Sequence, residues 1–175
     1  MKPALKTLFA SALLCAGITT PVWANLAVSF DEGAPKDRFT FANTGSCTIT
    51  NAQVLLDLST SKSGLIFDVT GKGAGVEVFQ PMEMTAGAQA LRGVPEVKDG
   101  DNQIKLDIGE LKAGQSIAFT IDVDDTAGVR EITVSGSEIA GAKVRFFQDG
   151  TSKTAVFAPN ARTTVQLMDC RLSQN

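Results

Sequence analysis

Asp122, Asp124 and Asp125, followed by Thr126, put three carboxylates within four residues. Such a group can do chemistry in two ways. One aspartate can attack phosphorus while its neighbour moves a proton, with a bound Mg²⁺ between them. Alternatively, the carboxylates can ligate a hard cation, which relieves their mutual repulsion. A third reading involves no chemistry: the group is the solvated end of a strand, with Asp125 starting a turn, a common role for aspartate.

The local sequence "IDVDDT" matches the D-x-D-x-T pattern that opens the haloacid-dehalogenase phosphatases. On that reading Asp122 is the nucleophile and Asp124 the acid/base. The preceding residues speak against it. Ile117, Phe119, Ile121 and Val123 alternate with Ala118, Thr120, Asp122 and Asp124, as in a half-exposed antiparallel strand. The phosphatase motif needs a buried parallel strand, which reads as a continuous apolar run. An EF-hand also fails. With Asp122 at position one, Ala127 falls where the turn glycine belongs and Thr133 where a bidentate glutamate belongs. A looser Ca²⁺ site between loops remains, with Asp122, Asp124, Asp125 and Glu138 as ligands. Asp31 and Glu32 join it if their loops converge. The two-residue strand period puts Asp122 and Asp124 on one face. The alternation favours the plainer reading, in which they face water.

Three features of the chain bound what these residues can belong to. Lys2 and Lys6, the apolar run Leu8–Ile18 and the small-residue site Val22–Ala24 read as a secretory signal over 1–24. The expectation is an exported chain, periplasmic or extracellular, with one domain over 25–175. The signal holds two lysines and no acids, so 16 − 2 = 14 basic against 19 acidic residues leave a formal charge of −5. That balance disfavours nucleic acid, and no second apolar run suggests membrane insertion. Cys47 and Cys170 remain after cleavage, and an even pair in an oxidising compartment reads as a disulfide. The chain has no histidine and no tyrosine. This excludes Ser-His-Asp and Cys-His catalysis and His-ligated zinc.

The remaining sequence consists of short alternating runs between Gly, Asn, Asp and Pro. Strands are predicted at 26–30, 37–43, 52–59, 64–70, 76–82, 102–109, 115–123, 130–136, 142–148, 154–159 and 163–169. The stretch 86–94 reads as a loop with one helical turn. This pattern predicts an all-β, antiparallel, Ig-like β-sandwich. Gly71, Gly73 and Gly75 lack the Lys-Ser/Thr ending of a phosphate loop and read as turn residues. "EVKDGD" (96–101) reads as a solvated hairpin tip. In "VRFFQDG" the alternation puts Phe146 and Phe147 on opposite faces, so one of them is a candidate exposed contact.

Two pairs of segments carry a resemblance. "FTFANTGSCTITNAQVLLDLS" and "IGELKAGQSIAFTIDVD" resemble the Ig-like bacterial surface domains of the CARDB-like group. "GLIFDVTGKGAGVEVFQP" and "FTIDVDDTAGVREITVSGSEIAGA" resemble secreted bacterial proteins described as aggregation factor core. The resemblance implies a non-catalytic binding or structural module in cell-surface or matrix association. Its partner would be a surface protein or polysaccharide, and Ca²⁺ dependence is an expectation. The alternatives are a Mg²⁺-dependent phosphatase and a periplasmic assembly or chaperone-like sandwich.

Overall fold

The computed structural model describes residues 23–70, 80–127 and 134–169. Ten strands lie within them: β1 (Trp23–Asp31), β2 (Asp37–Asn43), β3 (Ile49–Asp57), β4 (Ile66–Asp68), β5 (Glu83–Ala86), β6 (Gln103–Leu111), β7 (Ser116–Asp124), β8 (Lys143–Gln148), β9 (Thr151–Val156) and β10 (Arg162–Asp169). One short 3₁₀ turn spans Ala88–Ala90, inside the stretch read as a loop with one turn. Every pairing is antiparallel.

The strands form two sheets packed as a sandwich. One runs β10-β1-β2-β7-β4, with β5 also on β7; the other runs β6-β3-β8-β9. β7 has β2 along one edge. Its other edge is shared, with β5 against residues 118–120 and β4 against residues 122–124. The predicted all-β antiparallel sandwich is therefore what the chain forms.

The alternation explains the core. Phe39 and Phe41 of β2, Phe30 of β1, Phe67 of β4 and Phe119 of β7 all point inward and are almost fully buried. Phe39 is the hub, with ring centroids 5.0 Å from Phe30, 5.4 Å from Phe119 and 6.4 Å from Phe67. Val54, Leu56, Leu106, Ile108, Val144 and Phe146 are buried on the strands of the other sheet. Each such side chain contributes about 1.5–3 kcal/mol on burial.

Asn43 joins the two layers. It is buried at the end of β2, where its Nδ2 donates to the carbonyls of Cys47 at 2.7 Å and Leu111 at 2.9 Å. Its Oδ1 accepts from Gly45 N at 3.1 Å. The Asn-x-Gly turn legible in the sequence is thus a fully bonded crossing between sheets.

Several boundaries differ from expectation. The strand predicted at 154–159 runs 151–156 instead, because Ala158–Ala161 closes a turn. Residues 80–82 of the strand predicted at 76–82 are not strand; pairing to β7 begins at Glu83. Residues 134–136 of the strand predicted at 130–136 are likewise outside any strand, since Glu138 N bonds back to Ser135 O. The rest of those two predictions, residues 1–22 of the signal predicted over 1–24, Gly71, Gly73, Gly75 and Cys170 lie outside the described residues, while Trp23 and Ala24 at the end of that signal belong to β1. Cys47 packs partly buried against the core.

Candidate functional site

Asp122 and Asp124 fall at the end of β7 on one face, as their spacing predicts, but neither is a solvated strand end. Asp124 is 7 % exposed and Asp122 is half-buried. The reason is β4. Asp68 pairs directly with Asp122, and Ile66 with Asp124, so β7 is not an edge at this point. The segment after Pro95 then lies along β4. Phe67 N donates to Asp101 O at 2.8 Å, Gly100 N donates to Phe67 O at 2.9 Å, and Val69 N donates to Asp99 Oδ1 at 3.2 Å. "EVKDGD", expected as a solvated hairpin tip, does turn at Lys98–Asp101 with Glu96, Lys98 and Gly100 exposed, but it is also pinned to a strand.

This arrangement gathers carboxylates that sequence reasoning did not connect. Asp68 is wholly buried, and no donor reaches either of its oxygens. The carboxyl of Asp99 stands within hydrogen-bond reach of it. Two ionised carboxyls are both acceptors, so this contact satisfies neither. Burial, then Asp99 and Asp124, push the Asp68 carboxyl up to about 6. Burial, then the charge of Asp124, push Asp122 up to about 6. At the start of β2, Asp37 accepts from Gly33 N at 3.0 Å and Val123 N at 3.2 Å. Burial outweighs those bonds, and with Asp122 and Glu32 nearby its carboxyl rises to about 7.

The other predicted ligands are placed differently. The Asp125 carboxylate accepts from Ala127 N at 3.1 Å and shapes the turn. Glu138 accepts from Ser135 N at 2.6 Å and from Ser63 Oγ at 3.2 Å. These bonds hold its carboxyl below the usual range against the opposing effect of burial, and no aspartate figures among its influences. Asp31 pairs with Arg162 at 3.1 Å, and Glu32 accepts from Gly136 N at 2.9 Å. Among the described residues no three carboxylates stand close enough together to hold a metal ion as they are placed.

A second feature lies on the outer face of the four-stranded sheet. The registers β6-β3, β3-β8 and β8-β9 align Asp107, Gln53, Phe147 and Ser152 in one row across the strands. The next row is Lys105, Leu55, Arg145 and Thr154. Phe147 is 39 % exposed while Phe146 is buried, so the alternation in "VRFFQDG" holds. Arg92 forms the wall. Its backbone N donates to Asp107 O at 2.9 Å, and its guanidinium bonds to Asn51 Oδ1. The result is an open cleft of about 420 Å³ lined by Asn51, Gln53, Arg92, Asp107, Phe147 and Gln148. A continuation of about 650 Å³ runs along Lys105 and Gln103. Sequence reasoning found Phe147 but not its row, because the row exists only once the register is known.

Asp122 sits between antiparallel neighbours, and no strand of its sheet leads into a long helix among the described residues. That is not the setting the phosphatase motif requires. Among the described residues, no helix is long and apolar enough to cross a membrane. The chain matches no family model, no curated protein and no solved structure.

Proposed function

We propose that this chain is an exported, non-catalytic binding module that takes a polysaccharide on the outer face of its four-stranded sheet, in cell-surface or matrix association. The observation that carries this is the row Asp107–Gln53–Phe147–Ser152 in an open cleft. An exposed aromatic ring offers its electron-rich face to the C–H edge of a sugar ring. A carboxylate, carboxamides and a guanidinium around it supply donors and acceptors for hydroxyl groups. A long, shallow cleft with polar and apolar surface side by side suits an extended chain better than a compact ligand, which would favour a deep apolar pocket. The resemblance to secreted surface proteins agrees with this use.

Export and the Cys47–Cys170 bridge belong to the same proposal. Support for the bridge is that Cys47 is not a free thiol. The segments that lead to the two cysteines also both border the start of β1: β10 pairs with β1 up to Trp23, and Thr44 N donates to Asn25 O at 3.0 Å.

The test is affinity electrophoresis of the mature chain through gels holding neutral or acidic soluble polysaccharides. Retardation by at least one is expected. Phe147→Ala should weaken it about tenfold or more, the effect of ~1.4 kcal/mol, and leave the melting temperature unchanged. Migration unaffected by every polysaccharide would overturn the reading.

A further inference from the structure

We propose that Asp68 and Asp99, with Asp122 and Asp124 beside them, form a site for one hard divalent cation, Ca²⁺, where β4 closes onto the end of β7. This stands independently of the polysaccharide reading.

The starting point is Asp68. It has no exposed surface and no donor to either carboxylate oxygen. An ionised carboxylate in that state is costly and must either take a proton or meet a cation. Its surroundings are acidic on each side that is described. Across the ladder stands Asp122, its direct β7 partner. Asp124 follows two residues along on the same face. On β4's other edge stands Asp99, whose Oδ1 is fixed by Val69 N and whose segment is held by two main-chain bonds to Phe67. Lys36 is a nearby cation among the described residues. It is engaged by Glu83 at 2.9 Å and by Pro81 O at 3.1 Å, and its charge acts on Asp122. Among the described residues, the groups that act on Asp68 are Asp99, Asp124 and Asp122, all acidic.

The donor chemistry selects the ion. Carboxylate oxygens suit hard cations, and the chain has no histidine. The carboxylates come from two paired strands and one pinned segment, and no three of them stand close enough to hold an ion without moving. Mg²⁺ demands near-ideal octahedral geometry. Ca²⁺ accepts six to eight oxygens in irregular array and completes its shell with water. An ion drawn between Asp68 and Asp99 would neutralise the pair and bring Asp122 and Asp124 within its field. Asp125 and Glu138, the ligands their sequence position suggested, are outside this set.

Equilibrium dialysis of the mature chain against radioactive calcium should show one Ca²⁺ per chain. The melting temperature should be roughly 5 °C or more higher in excess Ca²⁺ than in chelator. Asp68→Asn and Asp99→Asn should each weaken calcium uptake by about tenfold or more, whereas Asp125→Asn should leave it unchanged. The competing account is a single proton shared by Asp68 and Asp99. It requires no calcium uptake, and Asp68→Asn would then raise the melting temperature whether or not Ca²⁺ is present; that pair of results overturns the site. Uptake at wild-type strength in Asp68→Asn would overturn it too. If the variants do not fold, stoichiometry and the calcium-dependent melt of the unaltered chain still decide.

Discussion

Asp37, Asp68 and Asp122 all hold their protons more tightly in the folded chain than a free aspartate does, and burial is the leading cause for each. Between pH 4 and about 7 the folded state therefore binds more protons than the unfolded state. The stabilisation from these groups is fully present below the unfolded aspartate value and is lost as pH rises through about 6 to 7. Glu32 faces Asp37 and deepens the effect, while Lys36 faces Asp122 and moderates it. Asp57 and Glu138 are shifted the other way, Asp57 by its Ser59 bonds against burial. Their stabilisation is lost only on acidification through their depressed values. In chelator, the melting temperature should accordingly rise on going from pH 8 to pH 5 and fall again below pH 4. Even one pKa unit retained at Asp37 is about 1.4 kcal/mol, or roughly 3 °C for a domain of this size. A scan in which stability climbs steadily from pH 5 to pH 8 would contradict these shifts.

The shortest named strand among the described residues does much of the positioning. β4 has three residues, all buried, yet it joins the phenylalanine core to the acidic end of β7. It is anchored by the turn before it. Thr126 Oγ1 donates to Gly64 O at 2.8 Å, and Thr126 N donates to Ser63 O at 3.1 Å. Gly64 has φ +61°, and a Cβ there would stand 2.7 Å from Thr126 Oγ1. Gly64→Ala should cost about 1–2 kcal/mol from the backbone alone, read as a lower urea midpoint with an unchanged slope. At this scale the sequence was readable in some places and silent in others. β2 matched its predicted bounds because Phe39 and Phe41 alternate cleanly with polar neighbours. In contrast, "GLIFDVT" shows a single carboxylate within an apolar run. Asp68 meets Asp99 and Asp122 through a pairing partner 54 residues onward and a segment 31 residues onward. No local pattern encodes that register. The same applies to Phe147: its exposure follows from period two, whereas its row with Gln53 and Asp107 follows from pairing across three strands.

For the whole molecule, a core cluster and a proposed cross-link bear on unfolding. The buried phenylalanine cluster joins β1, β2, β4 and β7. The proposed Cys47–Cys170 bridge would close a loop of more than a hundred residues, worth roughly 4–5 kcal/mol in the chain-entropy model. Reduction of the mature protein should lower its stability by up to that amount. Alkylation in denaturant should modify no cysteine before reductant and two after it, as read by mass. Two modified thiols without reductant would remove the bridge. That the chain is an all-β antiparallel sandwich was legible from turn residues and alternation. The division into sheets of six and four strands was not, because β5 and β4 share one edge of β7 through separate stretches of chain.

β9 is hydrogen-bonded to a strand on one side only among the described residues, with β10 across an open cleft from its second half, and its side chains are exposed except for the half-buried Ala155. Such an unsatisfied ladder is a template on which further copies could stack without limit. Lys153 stands in the middle of it, flanked by Ser152 and Thr154. A second β9 laid alongside would bring one ammonium group towards another and strip water from both. Polymerisation through this end of the molecule is therefore disfavoured by charge, and a strand added there must carry acid opposite Lys153.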